Sequence, residues 1–175
     1  MVSQIDCPTI LGVRDQARVV NELLRQRFET VLPAVMRETG FDMWVIICNE
    51  DNHDPVFTTI IPWECWAPIL QMVVFFDRGE ELGVERINVS ITDMQGLMET
   101  VWNLDSPQDQ WATLRQIIAE RNPKRIGINT SDVIWAADGL TAALRDKLVD
   151  TLGGDLAARL TSAEALAIRW LEHKT

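Results

Sequence analysis

The sequence predicts an α/β fold with helices layered on both sides of a mixed sheet, a three-layer α/β/α arrangement. Two observations carry this. Short apolar, β-branched segments alternate with amphipathic helical ones along the 175 residues. Two of the strand segments, "MWVIIC" (43–48) and "MVVFF" (72–76), are apolar at every position rather than at alternate ones. Such a strand is buried on both faces, and that requires a helix layer on each side of the sheet. With 47% hydrophobic and 24% charged residues the composition is globular, and the length suits a single domain, 1–175.

From Arg14 to Thr39, apolar residues from Val19 to Leu32 recur at three-to-four spacing, which predicts a helix. Pro33 lacks a backbone donor and is expected to kink or restart it, and Gly40 to end it. Met43–Cys48 follows as a buried strand. Ile69–Asp77 and Val84–Ile91, joined by the turn Arg78–Gly83, predict an antiparallel hairpin. "SPQDQW" opens the next helix, with Ser106 as cap and Pro107 at the first helical position. Arg125–Asn129 reads as a short strand, and "DGLTAALRDKLVDTL" as a helix stopped by Gly153 and Gly154. Leu156–Leu160 is an expected edge strand. Thr161 and Glu164 are spaced as a capping box for the last helix, "SAEALAIRWLEHK".

A net charge of −10, from 16 basic and 26 acidic residues without a basic block, repels phosphate backbones and argues against a nucleic-acid partner. Cys7, Cys48 and Cys65 are odd in number and form no CxxC, as expected of reduced thiols in a cytoplasmic protein. No apolar run is long enough to span a membrane, and the N-terminal stretch lacks the basic start and apolar core of a signal peptide.

Neither common phosphate-cradling glycine loop is present, and GxSxG is missing. The chain has two histidines, His53 and His173. His53 falls in "NEDNHDP" (49–55), directly after the first strand. Cys48 is five residues upstream, but a cysteine at that position faces the core and acts as a small apolar side chain. Glu50, Asp51, His53 and Asp54 are ligand types that suit Zn or Mn. Consecutive loop residues seldom converge on one ion, however, and no glycine eases a tight wrap. A polar strand end is the commoner meaning, so no catalytic and no metal-ligating residue is assigned. Of seven Trp, Trp44, Trp111 and Trp170 lie in regular elements and are expected in the core. Trp63 and Trp66 lie in the Pro-punctuated, aperiodic "IIPWECWAP" (60–68), as aromatics of a contact surface do, or of a lid folded onto its own core.

Three stretches, "VLPAVMRETGFDMWVIICNEDNHDPVF", "WNLDSPQDQWATLRQIIAERNPKRIGINTSDVIWAADGLT" and "LTSAEALAIRWLEHKT", together resemble the N-terminal domain of the creatinase/prolidase/Xaa-Pro aminopeptidase family. The resemblance runs from Arg14 to the C-terminus. It implies a ribonuclease-H-like layered fold for this domain. It also implies that hydrolysis belongs to a separate C-terminal pita-bread domain, in which two Asp, one His and two Glu hold two divalent metal ions (Mn, Co or Zn). Such a domain is absent from this chain, which is therefore expected to need no cofactor of its own. The implied role is non-catalytic. The domain shapes the cleft for a peptide substrate, packs on its own catalytic domain and supports a homo-oligomer.

Relatives resemble "REYNEDP" where this chain has "NEDNHDP", so Asn49 stands in place of Arg and His53 in place of Glu, while Glu50, Asn52, Asp54 and Pro55 match. The residues expected at a substrate cleft or interface are Asn49, Glu50, Asn52, His53, Asp54, Trp63 and Trp66. A free-standing module that binds a small ligand or a protein through the same loop is the alternative.

Overall fold

The computed structural model describes residues 10–173, and Cys7 lies outside them. Helix α1 (Val13–Thr39) runs without a break through Pro33. The expected restart is not seen. Proline removes a single backbone donor, and Leu32, Val35 and Met36 around it are completely buried, so packing holds that turn in place. Gly40 ends the helix in the left-handed conformation (φ 72), and Phe41 N–H reaches back to Met36 O at 2.9 Å.

Strands β1 (Met43–Asn49), β2 (Leu70–Asp77), β3 (Val84–Asn88) and β4 (Glu99–Thr100) follow. Then come α2 (Gln110–Arg121), β5 (Ile126–Ile128), α3 (Ala142–Leu152), α4 (Gly154–Ala157), β6 (Leu160–Ser162) and α5 (Glu164–Glu172). They build one six-stranded mixed sheet in the order β4-β3-β2-β1-β5-β6. β1 pairs antiparallel with β2 and parallel with β5, and β2 and β3 form the expected hairpin.

Alternate residues of β1 feed opposite layers. Trp44, Ile46 and Cys48 pack with α1 and α5, around Phe28, Leu32 and Trp170. Met43, Val45 and Ile47 pack with α2 and α3, around Leu114, Ile118 and Leu148. Two helix layers therefore cover the two faces of β1 and β2, which is why these strands carry no polar face.

Several boundaries differ from expectation, α3 among them, which starts at Ala142 with Thr141 as its cap and not at Asp138. β3 stops at Asn88, because Ser90 and Thr92 leave the ladder and donate their hydroxyls to the buried Gln71 side chain at 2.9 and 2.6 Å. Helix α2 starts at Gln110, capped by Asp109, whose carboxylate accepts from Ala112 N–H at 2.9 Å. Ser106 instead accepts from Asn103 N–H in the preceding turn. The stretch Leu156–Leu160 begins inside α4, and only Leu160 joins the edge strand. No capping box forms at α5, because Thr161 is held in β6; the hydroxyl of Ser162 accepts from Glu164 N–H at 3.2 Å instead. Among the described residues, no helix is long and apolar enough to cross a membrane.

Candidate functional site

β1 delivers the chain from the core to solvent over a single residue, from Cys48 at 1% exposure to the exposed Asn49. The turn that follows closes on itself. Asp51 adopts the left-handed conformation (φ 60), and Asn52 N–H reaches Asn49 O at 3.2 Å. Aspartate tolerates that region better than most residues, so no glycine is needed. Glu50 clips the turn to the start of β2: its N–H donates to Ile69 O at 2.6 Å, and its carboxylate accepts from Ile69 N–H at 3.0 Å. His53 is exposed and tilts against the Phe57 ring at 5.4 Å between centroids.

Asp54 behaves differently from its neighbours. It points inward and is completely buried. Its Oδ1 accepts from the N–H groups of Val56 (2.7 Å) and Phe57 (3.3 Å), and both carboxylate oxygens accept from Asn129 Nδ2 at 3.1 and 2.9 Å. Asn129, at the end of β5, uses its Oδ1 to accept from Trp44 Nε1 at 2.7 Å. A buried chain of hydrogen bonds thus ties the base of the turn to β5 and β1, with every side-chain group in it partnered. Burial pushes the Asp54 carboxyl above its ordinary range, although the donors from Asn129, Val56 and Phe57 act in the opposite sense. Asp54, expected at a substrate cleft or interface, is thus buried as the anchor beneath the turn.

Above this anchor lies an open cleft of about 500 Å³, walled by Asn52 and His53 on one side and by Thr130, Asp138, Thr141 and Arg145 on the other. One wall follows β1 and the other follows β5, so the cleft lies outside the carboxyl ends of two adjacent parallel strands, a common place for ligands in α/β folds. An imidazole, a guanidinium, a carboxylate and two hydroxyls equip it for hydrogen bonding to a polar ligand. Cys48 belongs to the core, where burial pushes its thiol up to about 12, so the Cys48–His53 pairing is not built. Glu50, Asp51, His53 and Asp54 also do not converge, since Glu50 is turned to Ile69 and Asp54 to Asn129. Among the described residues, no group of three His, Cys, Asp or Glu side chains is placed to hold a metal ion.

Trp63 and Trp66 are brought to neither wall of this cleft. Trp66 is 74% exposed. Trp63, at 37%, lines a second depression beside α1, where its N–H donates to Asn21 Oδ1 at 2.9 Å. The sequence reading singled out neither the second cleft wall nor Trp135, which is 81% exposed on the segment after β5. The signal was present, because "TSDVIWAADG" is as aperiodic as the segment around Trp66.

No protein-family model matches the chain, and no curated protein matches it. Among solved structures it is similar to a Xaa-Pro dipeptidase from Bacillus anthracis, with a TM-score of 0.44 and 14% identity over 84% of this chain. The chain spans about a third of that dipeptidase, 34% of its length.

Proposed function

We propose that this chain is a non-catalytic binding domain of the kind that forms the N-terminal part of creatinase and Xaa-Pro dipeptidase-like metallopeptidases. The turn Asn49–His53 borders a cleft for a peptide, and hydrolysis falls to another domain that carries the divalent metal ions, Mn, Co or Zn. The observation that carries the reading is the buried chain Trp44–Asn129–Asp54. It commits the turn's one inward carboxylate to fixing the backbone and leaves Asn52 and His53 on the cleft wall, with Asn49 exposed at the start of the turn. Rigid presentation of a few polar groups is what discrimination of a short peptide end requires. The motif resemblance from Arg14 to the C-terminus supports the same reading.

In this reading the protein is cytoplasmic and forms a homo-oligomer, with Trp66 on the contact surface. The test is an assay of the purified chain on Xaa-Pro dipeptides with added Mn²⁺ or Co²⁺. No turnover is expected, and hydrolysis that co-purifies with the chain overturns the proposal. Light scattering across concentrations tests the assembly: mass should fall on Trp66→Ala, and a strict monomer at all concentrations removes Trp66 from an interface role.

A further inference from the structure

A groove of about 520 Å³ separates the N-terminal half of α1 from the segment that follows Phe57–Thr59. Its walls are mostly apolar, with Val20, Leu23, Ile61, Pro62 and Trp63 among them. Leu23 is 38% exposed at its edge. Arg27 is the single cation among the described residues lining it.

The bonding of Arg27 is incomplete. Its guanidinium lies 3.9 Å from the centroid of the Trp170 ring, and NH2 donates to Trp170 O. Nε is buried with no acceptor, and NH1 makes no hydrogen bond among the described residues. No carboxylate there pairs with it either, unlike Arg37, Arg121 and Arg169; Arg86 shares this state, with a buried nitrogen left unpartnered, but does not line the groove. Burial without a counter-charge pulls the guanidinium pKa down. In a chain with 26 acidic residues, a half-buried arginine left without a carboxylate beside an apolar trough has the layout of a receptor for one.

We propose that this groove binds an apolar carboxylate, with its hydrocarbon or aromatic body on Leu23 and Trp63 and its charge on the NH1 side of Arg27. A free carboxylic acid and the carboxyl terminus of an apolar peptide share that chemistry. The groove is separate from the His53 cleft, so either assignment can fail without the other. Glu64 stands at the rim and works against an anion.

Nuclear magnetic resonance titration of the ¹⁵N-labelled chain tests this, with 4-phenylbutyrate against 4-phenylbutanamide, and acetyl-Leu-Leu with a free against an amidated terminus. The expected result is saturable movement of the Arg27 Nε–H and Trp63 indole signals with a carboxylate probe, at least tenfold weaker with its amide. Arg27→Gln should weaken binding at least tenfold and Glu64→Gln should tighten it. Because Arg27 also packs on Trp170, Leu23→Glu at the exposed edge serves as the second variant and should weaken binding at least tenfold. Binding by only one carboxylate probe supports the site and identifies the source of its ligand. Movement of neither probe's signals, equal binding of the amides, or unchanged affinity in both Arg27→Gln and Leu23→Glu overturns the proposal.

Discussion

Gly139 and Asp54 are packed so tightly that a Cβ on the glycine would overlap the carboxylate, closer than non-bonded atoms approach. The carboxylate has nowhere to go, since Val56, Phe57 and Asn129 all donate to it. Gly139→Ala is therefore expected to destabilise the fold by about 1–3 kcal/mol, as overpacking does. Asp54→Asn should cost a similar amount, about 1–3 kcal/mol, because its new NH₂ would face the Asn129 donor and leave a buried acceptor missing. Urea denaturation of the two variants measures both. A change below about 0.5 kcal/mol in either would remove the anchor role from this pair.

Ile69 takes a left-handed backbone conformation (φ 58) although it is β-branched, and its side chain is 62% exposed. Its backbone is held there by both groups of Glu50. An L residue in that region costs about 1–2 kcal/mol, and asparagine bears it best after glycine. Ile69→Asn should therefore stabilise the protein by roughly 1 kcal/mol. Glu50→Gln, which weakens the clip, should destabilise it. Thermal unfolding of the two variants should move in opposite directions.

Two carboxylates give opposite acid responses. Two hydrogen bonds from Arg37, 2.8 Å each, hold Asp77 below the usual carboxylate range. Its contribution is present above the ordinary aspartate value and is lost as pH falls through the depressed folded one. Asp54 is raised, so its ionised form weakens the fold above the raised value, and that penalty fades as pH falls toward the ordinary value. Stability measured against pH should lose part of its acid-side fall in Asp77→Asn. In Asp54→Asn the same fall should steepen, since the opposing term is gone. A wild-type slope in both variants would contradict the assignment.

Cys48 offers a kinetic readout. Its thiol is 1% exposed and is pushed up to about 12, so the reactive thiolate is scarce and shielded. In a protein with Cys7 and Cys65 replaced by Ser, iodoacetamide should label Cys48 only at the rate of unfolding. Labelling as fast as a free thiol in native buffer would show the β1 end to be open.

The central strands were legible because burial on both faces leaves apolar residues at every position from Met43 to Cys48, and the shortness and β-branched content of that run mark it as strand and not helix. Helix starts were less so. Ser106 and Asp109 are both good caps, and the choice falls to Asp109 because the next residue, Gln110, reaches into the sheet to Leu70 O and Val89 O at 2.9 and 2.6 Å. That is a tertiary decision, and local spacing does not record it. The candidate site divides in the same way. "NEDNHDP" was visible as a polar turn on a buried strand, but nothing in it says that Asp54 alone turns inward. Its partner Asn129 is 75 residues away.

That separation also sets an order of events. β1, β2 and β3 are consecutive in the chain and pair as an antiparallel meander, whereas β5 joins β1 only after α2 has crossed the sheet. Contacts near in sequence cost less loop entropy and form early. The cleft is therefore expected to assemble when β5 docks, with its far wall in the later unit. In native-state hydrogen exchange, amides from Ile126 to Leu140 should open together, at lower free energy than those of Val45 to Ile47. A ligand that bridges His53 and Arg145 would then act as a clasp between an early-folding and a late-folding half, and its binding would be read as slower exchange on the β5 side.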